Sequence, residues 1–291
     1  MYPVGEPAHP WRVFRREMIL FLQRIGLLCA CLAFLAPPVS ATDVDGPLVL
    51  PPAGSWIVDF AEDRCVVARQ FSDGEDAAVL KFSSFLPSDR MTVQVISNTL
   101  SARNKAPVAR VLPAGEPATP QMFERVSAEG GWNGAGFEMP RPETDADATA
   151  LLIEKTFNQD LQLQTGAIAE VLQVMQTCED DLAVSLGLDP AQQRNLSQKA
   201  SIDWDSWGVK TSSLQKKFFQ AGSMRQKVRL LVDEEGKVIG CHVIEGAVSQ
   251  DLDEQMCAAI TKDAQFEPAL DADAQPVKSY YLHMMSVMRG G

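Results

Sequence analysis

The chain has 291 residues, 26 basic and 38 acidic side chains, a net charge of −12 and 46% hydrophobic residues. That length and apolar content suffice for two modest domains, each with its own core. The acidic balance, with no basic cluster denser than Lys216-Lys217 beyond the first 41 residues, excludes the Lys and Arg patches that nucleic acid or an anionic lipid surface requires.

Arg12, Arg15, Arg16 and Arg24 precede an apolar run, Ile25–Ala36, and Val39-Ser40-Ala41 has the small residues of a cleavage site. As a helix that run is about 18 Å long, short of the roughly 30 Å of a hydrocarbon core. A longer span from Met18 would enclose Gln23 and Arg24, and an arginine near the bilayer centre costs about 2.5–3.5 kcal/mol. Residues 1–41 are therefore expected to be a signal peptide cut between Ala41 and Thr42, and the protein to be periplasmic. The alternative is an uncleaved inner-membrane anchor with a periplasmic domain. Cleavage would remove four basic and two acidic side chains and leave a charge of −14.

Residues 46–190 are expected to form a first domain. Ser55–Phe60, Cys65–Phe71, Ala78–Phe85 and Thr92–Ile96 alternate as short strands between the polar turns Glu62-Asp63, Ser72-Asp73-Gly74 and Pro87-Ser88-Asp89, which predicts an antiparallel meander. Four prolines between Pro107 and Pro120 and the glycine-rich Gly130–Gly136 predict irregular chain, followed by an acidic patch at Glu143–Asp147. Gly131–Gly136 has the composition of a phosphate loop but no helix or lysine follows it, so a turn is expected. Ile168, Val171, Leu172, Met175, Cys178, Leu182 and Leu186 keep a 3.6-residue rhythm and predict a helix lying on the sheet with Cys178 turned inward.

Residues 191–224, polar but carrying Trp204 and Trp207, read as a connector. The last part, 225–291, has the clearest pattern. Gln226–Asp233 alternates around Val228, Leu230 and Val232, Glu235-Gly236 supplies a turn, and Val238–Ile244 resumes. Ser249 caps a helix carrying Leu252, Met256, Ala259 and Ile260, Pro268 ends that pattern, and Val277–Met288 forms the last strand. On Val228–Val238, Leu252-Asp253, Phe266-Glu267-Pro268-Ala269 and Gln275-Pro276-Val277, this segment resembles the C-terminal domain of TonB-family proteins. It lacks the tyrosine-proline signature before the first strand and the chain has no long proline-rich spacer. The expected class is α+β: an N-terminal antiparallel sheet with a packed helix, then a small ββαβ TonB C-terminal-like domain.

The resemblance implies an envelope protein with a protein-binding module, linked to TonB-dependent transport across the outer membrane. Its partner-binding edge would be the last strand, here Ser279, Tyr280, Tyr281, Leu282, His283 and Met284, to which an extended segment of an outer-membrane receptor or another envelope protein adds. The same strand has an alternative role as scaffold or homodimer seam.

Beyond residue 41 four cysteines remain, and an oxidising compartment predicts two disulfides. Cys241 on the hairpin and Cys257 on the helix packed against it are expected to pair, leaving Cys65 with Cys178. The mature chain has only His242 and His283, and no His-Glu-x-x-His, Gly-x-Ser-x-Gly or Cys-x-x-Cys pattern, so no catalytic, metal or cofactor residue is nominated. Cys241 and His242, adjacent on a strand, point to opposite faces. A second function remains open: a periplasmic enzyme or ligand-binding protein with its site in residues 46–190 and a purely structural C-terminal module.

Overall fold

The computed structural model describes residues 46–286 apart from 114, 119–120, 143–147, 204–216, 218–219, 221–224 and 247–248. The expected signal segment with Ala41 and Thr42, the acidic patch at 143–147 and both connector tryptophans lie outside the described residues.

Fifteen strands among the described residues are numbered in chain order. β2 (Ile57–Phe60), β3 (Cys65–Ser72), β4 (Ala77–Ser84), β5 (Arg90–Ser97), β7 (Gln121–Ser127) and β8 (Asn133–Pro140) form an antiparallel sheet of order β2-β3-β4-β5-β8-β7. Its first four strands are the expected meander. A second sheet has the order β1-β10-β9-β6, from β1 (Leu48–Leu50), β6 (Val108–Leu112), β9 (Ala150–Glu154) and β10 (Leu161–Leu163). Strand alternation explains the packing: Met91, Val93 and Val95 on β5, or Cys65 and Val67 on β3, point inward at every second position. The two sheets share one core, in which Phe71, Leu80, Phe82 and Phe137 meet Leu50, Leu151, Ile153 and Leu161. Helix α1 (Ile168–Ser185) joins it through Ile168, Val171, Leu172 and Met175, on the face its periodicity predicts.

The expected irregular stretch is corrected. Gly134 and Gly136 lie in β8, between β5 and β7, not in a turn. Their role is close approach: a Cβ at Gly134 would sit 2.0 Å from the Val95 carbonyl oxygen. The turn is earlier, at Glu129–Gly131, where Gly130 and Gly131 take φ of 75° and 83°.

A short helix, α2 (Pro190–Arg194), is capped by the Asp189 carboxylate. Beyond it, Gln198 and Ser201 exchange backbone bonds with Leu270 and Glu267, and Leu196, Ala200 and Ile202 pack on the C-terminal core. The early connector thus adheres to the C-terminal unit.

β11 (Arg225–Val232) and β12 (Val238–Glu245) form the expected hairpin, with β15 (Ser279–Ser286) along the other side of β11. In its turn, Asp233 Oδ1 accepts from the Glu235 and Lys237 amides. Gly236 has φ of 80° where a Cβ would meet the Phe266 carbonyl oxygen at 2.0 Å. Two register shifts put an extra residue of β12 opposite β11 at each end of the pairing. Helix α3 (Gln250–Asp263), capped by Ser249 Oγ, covers one face with Leu252, Met256 and Ile260 over Val228, Leu230, Val232 and Val238. The two-residue strands β13 (Ala269–Leu270) and β14 (Pro276–Val277) pair with each other between α3 and β15. The described residues are therefore a sheet-rich mixture of α and β structure, compatible with the α+β class. The described residues cluster as one compact unit.

Candidate docking edge

Both expected disulfides are present. Cys65–Cys178 ties β3 to α1 across 113 residues, and Cys241–Cys257 ties β12 to α3 across 16. They fit an exported protein, since such bonds persist in oxidising compartments. Among the described residues no helix is long and apolar enough to cross a membrane.

β15 carries the six nominated edge residues. It pairs with β11 from Val232↔Ser279 to Arg225↔Ser286 and, among the described residues, has no strand on its other side. Alternation divides its side chains. Tyr281 packs edge-on against Phe266 at 5.1 Å beneath α3, and His283 stacks beside Tyr281 with ring centroids 6.2 Å apart. Burial disfavours the imidazolium and pulls the His283 pKa from its ordinary 6.5 down to about 4. Tyr280 points the other way: its hydroxyl donates to the Pro87 carbonyl and its ring joins Leu231 on Leu86, Leu182, Ala183 and Leu188. Both tyrosines thus contribute to packing rather than to an open rim.

The start of β15 is held. Ser279 Oγ donates to Gln193 Oε1 at 2.6 Å, Gln193 Nε2 donates to the Lys278 carbonyl at 3.0 Å, and Lys278 Nζ donates to the Leu186 carbonyl at 2.9 Å. The backbone available to a guest strand therefore lies toward Leu282, His283 and Met284.

The face of this sheet away from α3 rests on the first sheet's flank. Lys227 Nζ lies 3.4 Å from Glu138, 3.6 Å from Glu245 and 4.5 Å from the Phe85 ring centroid. Nearby, Glu179 on α1 is only 2% exposed and pairs with Arg141. Desolvation raises the Glu179 carboxyl pKa, against the opposing pull of Arg141 and a hydrogen bond from Ser84. Burial, helped by the charges of Glu179 and Asp89, likewise pushes the Tyr280 phenol up. Sequence reading did not nominate Glu179, although it falls on the same helical stripe as Met175 and Leu182. A carboxylate in that stripe was the available signal.

No group of three or more His, Cys, Asp or Glu among the described residues is arranged to hold a metal. His242 is exposed on β12. In residues 46–190 a groove of about 280 Å³ lies beside α1, lined by Trp56, Val58, Val67, Arg69, Glu170 and Val174 among others.

In comparisons with known proteins, no family model, no curated protein and no solved structure matches the chain.

Proposed function

We propose that this is an exported cell-envelope protein whose C-terminal unit is a TonB C-terminal-like protein-binding module, non-enzymatic and periplasmic. It takes an extended segment of an outer-membrane receptor or another envelope protein along β15. The observation that supports this reading is the strand order: hairpin, helix, then a last strand on the rim of a three-stranded sheet, with the helix over one face. Main-chain hydrogen bonds at about 0.5–1.5 kcal/mol each give a guest strand generic affinity, and alternate side-chain contacts give selectivity. With Ser279 and Lys278 already engaged by Gln193, only a few such bonds remain, so binding is weak and reversible.

The alternative, an enzyme or ligand-binding site in residues 46–190, would have to use a cavity such as the groove beside α1. That lining is mainly apolar and includes no His, Cys or Ser, which favours the docking reading.

The test is hydrogen exchange at β15 during titration with peptides from the periplasmic plug domains of outer-membrane receptors. Slowed exchange at 282–286, together with weaker binding by Met284→Pro, supports the proposal. A peptide that binds without altering exchange there would refute it.

A further inference from the structure

The two disulfides differ in what can reach them. Cys65 and Cys178 are 1% and 3% exposed, sealed between β3 and α1 in the sandwich. Cys241 and Cys257 are only half-buried, and the chain around them offers little cover. Cys241 lies on β12, which has no strand beyond it among the described residues, and Cys257 is followed on α3 by Ala258, which is exposed. Ile239, two residues before Cys241, is itself 52% exposed. A thiolate from solution therefore has a route to the second bond, and reaches the first only if the sandwich opens.

We propose that Cys241–Cys257 is a thiol–disulfide exchange site, opened by an external protein dithiol and closed by a disulfide oxidant, and that its state sets how firmly α3 is held on the C-terminal sheet. Neither bonded pair has Cys-x-x-Cys spacing, so the chain is a substrate of such exchange rather than its reagent. The inference concerns α3 and its bond, and it stands whether or not β15 takes a guest.

In the opening step a thiolate of the dithiol bonds to one sulfur of the pair, and the other sulfur leaves as a thiolate that takes up a proton. The dithiol's second thiol then displaces the first cysteine from the mixed disulfide. Two electrons and two protons reach Cys241 and Cys257, and the reagent leaves as its own disulfide. Closure runs these steps backwards, with the disulfide oxidant accepting the two electrons.

The fold keeps the two sulfurs close when the bond is open. α3 is capped by Ser249 Oγ and rests on the sheet through Leu252, Met256 and Ile260, which lie on both sides of Cys257 in the sequence. Cys241 is placed by its pairing with Leu230. Contacts other than the bond thus set the two Cα positions, 5.5 Å apart, so reduction loosens the helix rather than releasing it. The bond spans only 16 residues, and in the chain-entropy model its loss shifts the opening equilibrium of α3 roughly a hundredfold.

The test uses the chain purified after export without reductant. Dithiothreitol stands in for the protein dithiol under native conditions, and the thiols it frees are blocked and located by peptide mapping. Cys241 and Cys257 should be labelled at least about tenfold sooner than Cys65 and Cys178. In the reduced protein, hydrogen exchange over Gln250–Asp263 should quicken roughly a hundredfold while β3 to β5 stay unchanged, and glutathione disulfide should restore both bond and protection. Cys241→Ala with Cys257→Ala should show the quickened exchange without reductant and no further response to it. Labelling of all four cysteines at one rate overturns the proposal. So does α3 protection that is unchanged on reduction, or a bond that fails to re-form.

Discussion

The sandwich of residues 46–163 encloses its core between two sheets and closes it with α1. The C-terminal sheet has one helix over one face and borrows the sandwich's flank for the other. The first region places large side chains such as Phe71, Phe82 and Phe137 wholly inside. The second relies on a short stripe from α3, a disulfide, and polar contacts through Lys227, Tyr280 and Gln193. A small unit of this kind depends on its attachments more than on its own core. The staples differ in the same sense: the long-range one lies inside the sandwich and the short-range one inside the C-terminal unit.

Removing the staples gives the sharpest contrast. In the chain-entropy model a loop of about 100 residues is worth about 4.7 kcal/mol and one of about 15 residues about 3 kcal/mol. Cys65→Ser with Cys178→Ser should therefore lower stability in denaturant titration more than Cys241→Ser with Cys257→Ser, and the reverse order would break the comparison. Phe266→Ala removes a ring that packs beneath α3 against Tyr281 and should cost about 3–4 kcal/mol. Hydrogen exchange should localise that loss to residues 225–286, whereas spreading into β3–β5 would mean that the two regions unfold as one.

Arg141→Met leaves Glu179 buried without its cation and should cost about 3 kcal/mol near neutral pH. The penalty should shrink on acidification, because a protonated Glu179 tolerates burial, and a pH-independent loss would contradict the role given to that pair. The smallest effect is at His283. Its folded pKa of about 4 lies below the ordinary 6.5, so the unfolded chain binds more protons between those values. Its contribution is complete above pH 6.5 and is lost as the pH falls toward 4. Thermal melts of His283→Gln should show a flatter pH dependence across that window than wild type.

Legibility followed the same division. The hairpin, α3 and β15 could be read because their signals are local: alternation, a Gly236 turn, a Ser249 cap and a proline stop. Strands β2 to β5 and the helix with Cys178 were legible for the same reason. β1 and β6 to β10 were not: β1 with β10, β6 with β9 and β8 with β5 pair across long stretches of chain, and Gly134 and Gly136 carry turn-like composition into a strand. In β8 it is the backbone of β5, close against Gly134, that selects glycine. That constraint exists only once the strands are paired. At the candidate edge, position could be inferred but orientation could not. Tyr280 and Tyr281 look equally available in the sequence, yet each is turned toward a different buried layer.

The two extra residues in β12 bear on assembly. A three-stranded sheet with two straight borders could accept strands at both, and copies joined border to border would grow without limit. Kinking one border leaves growth a single direction, so an added strand ends the series instead of extending it. Under the docking proposal, a segment captured on β15 would thus cap the sheet, and the protein could hold a guest at high concentration without seeding fibres.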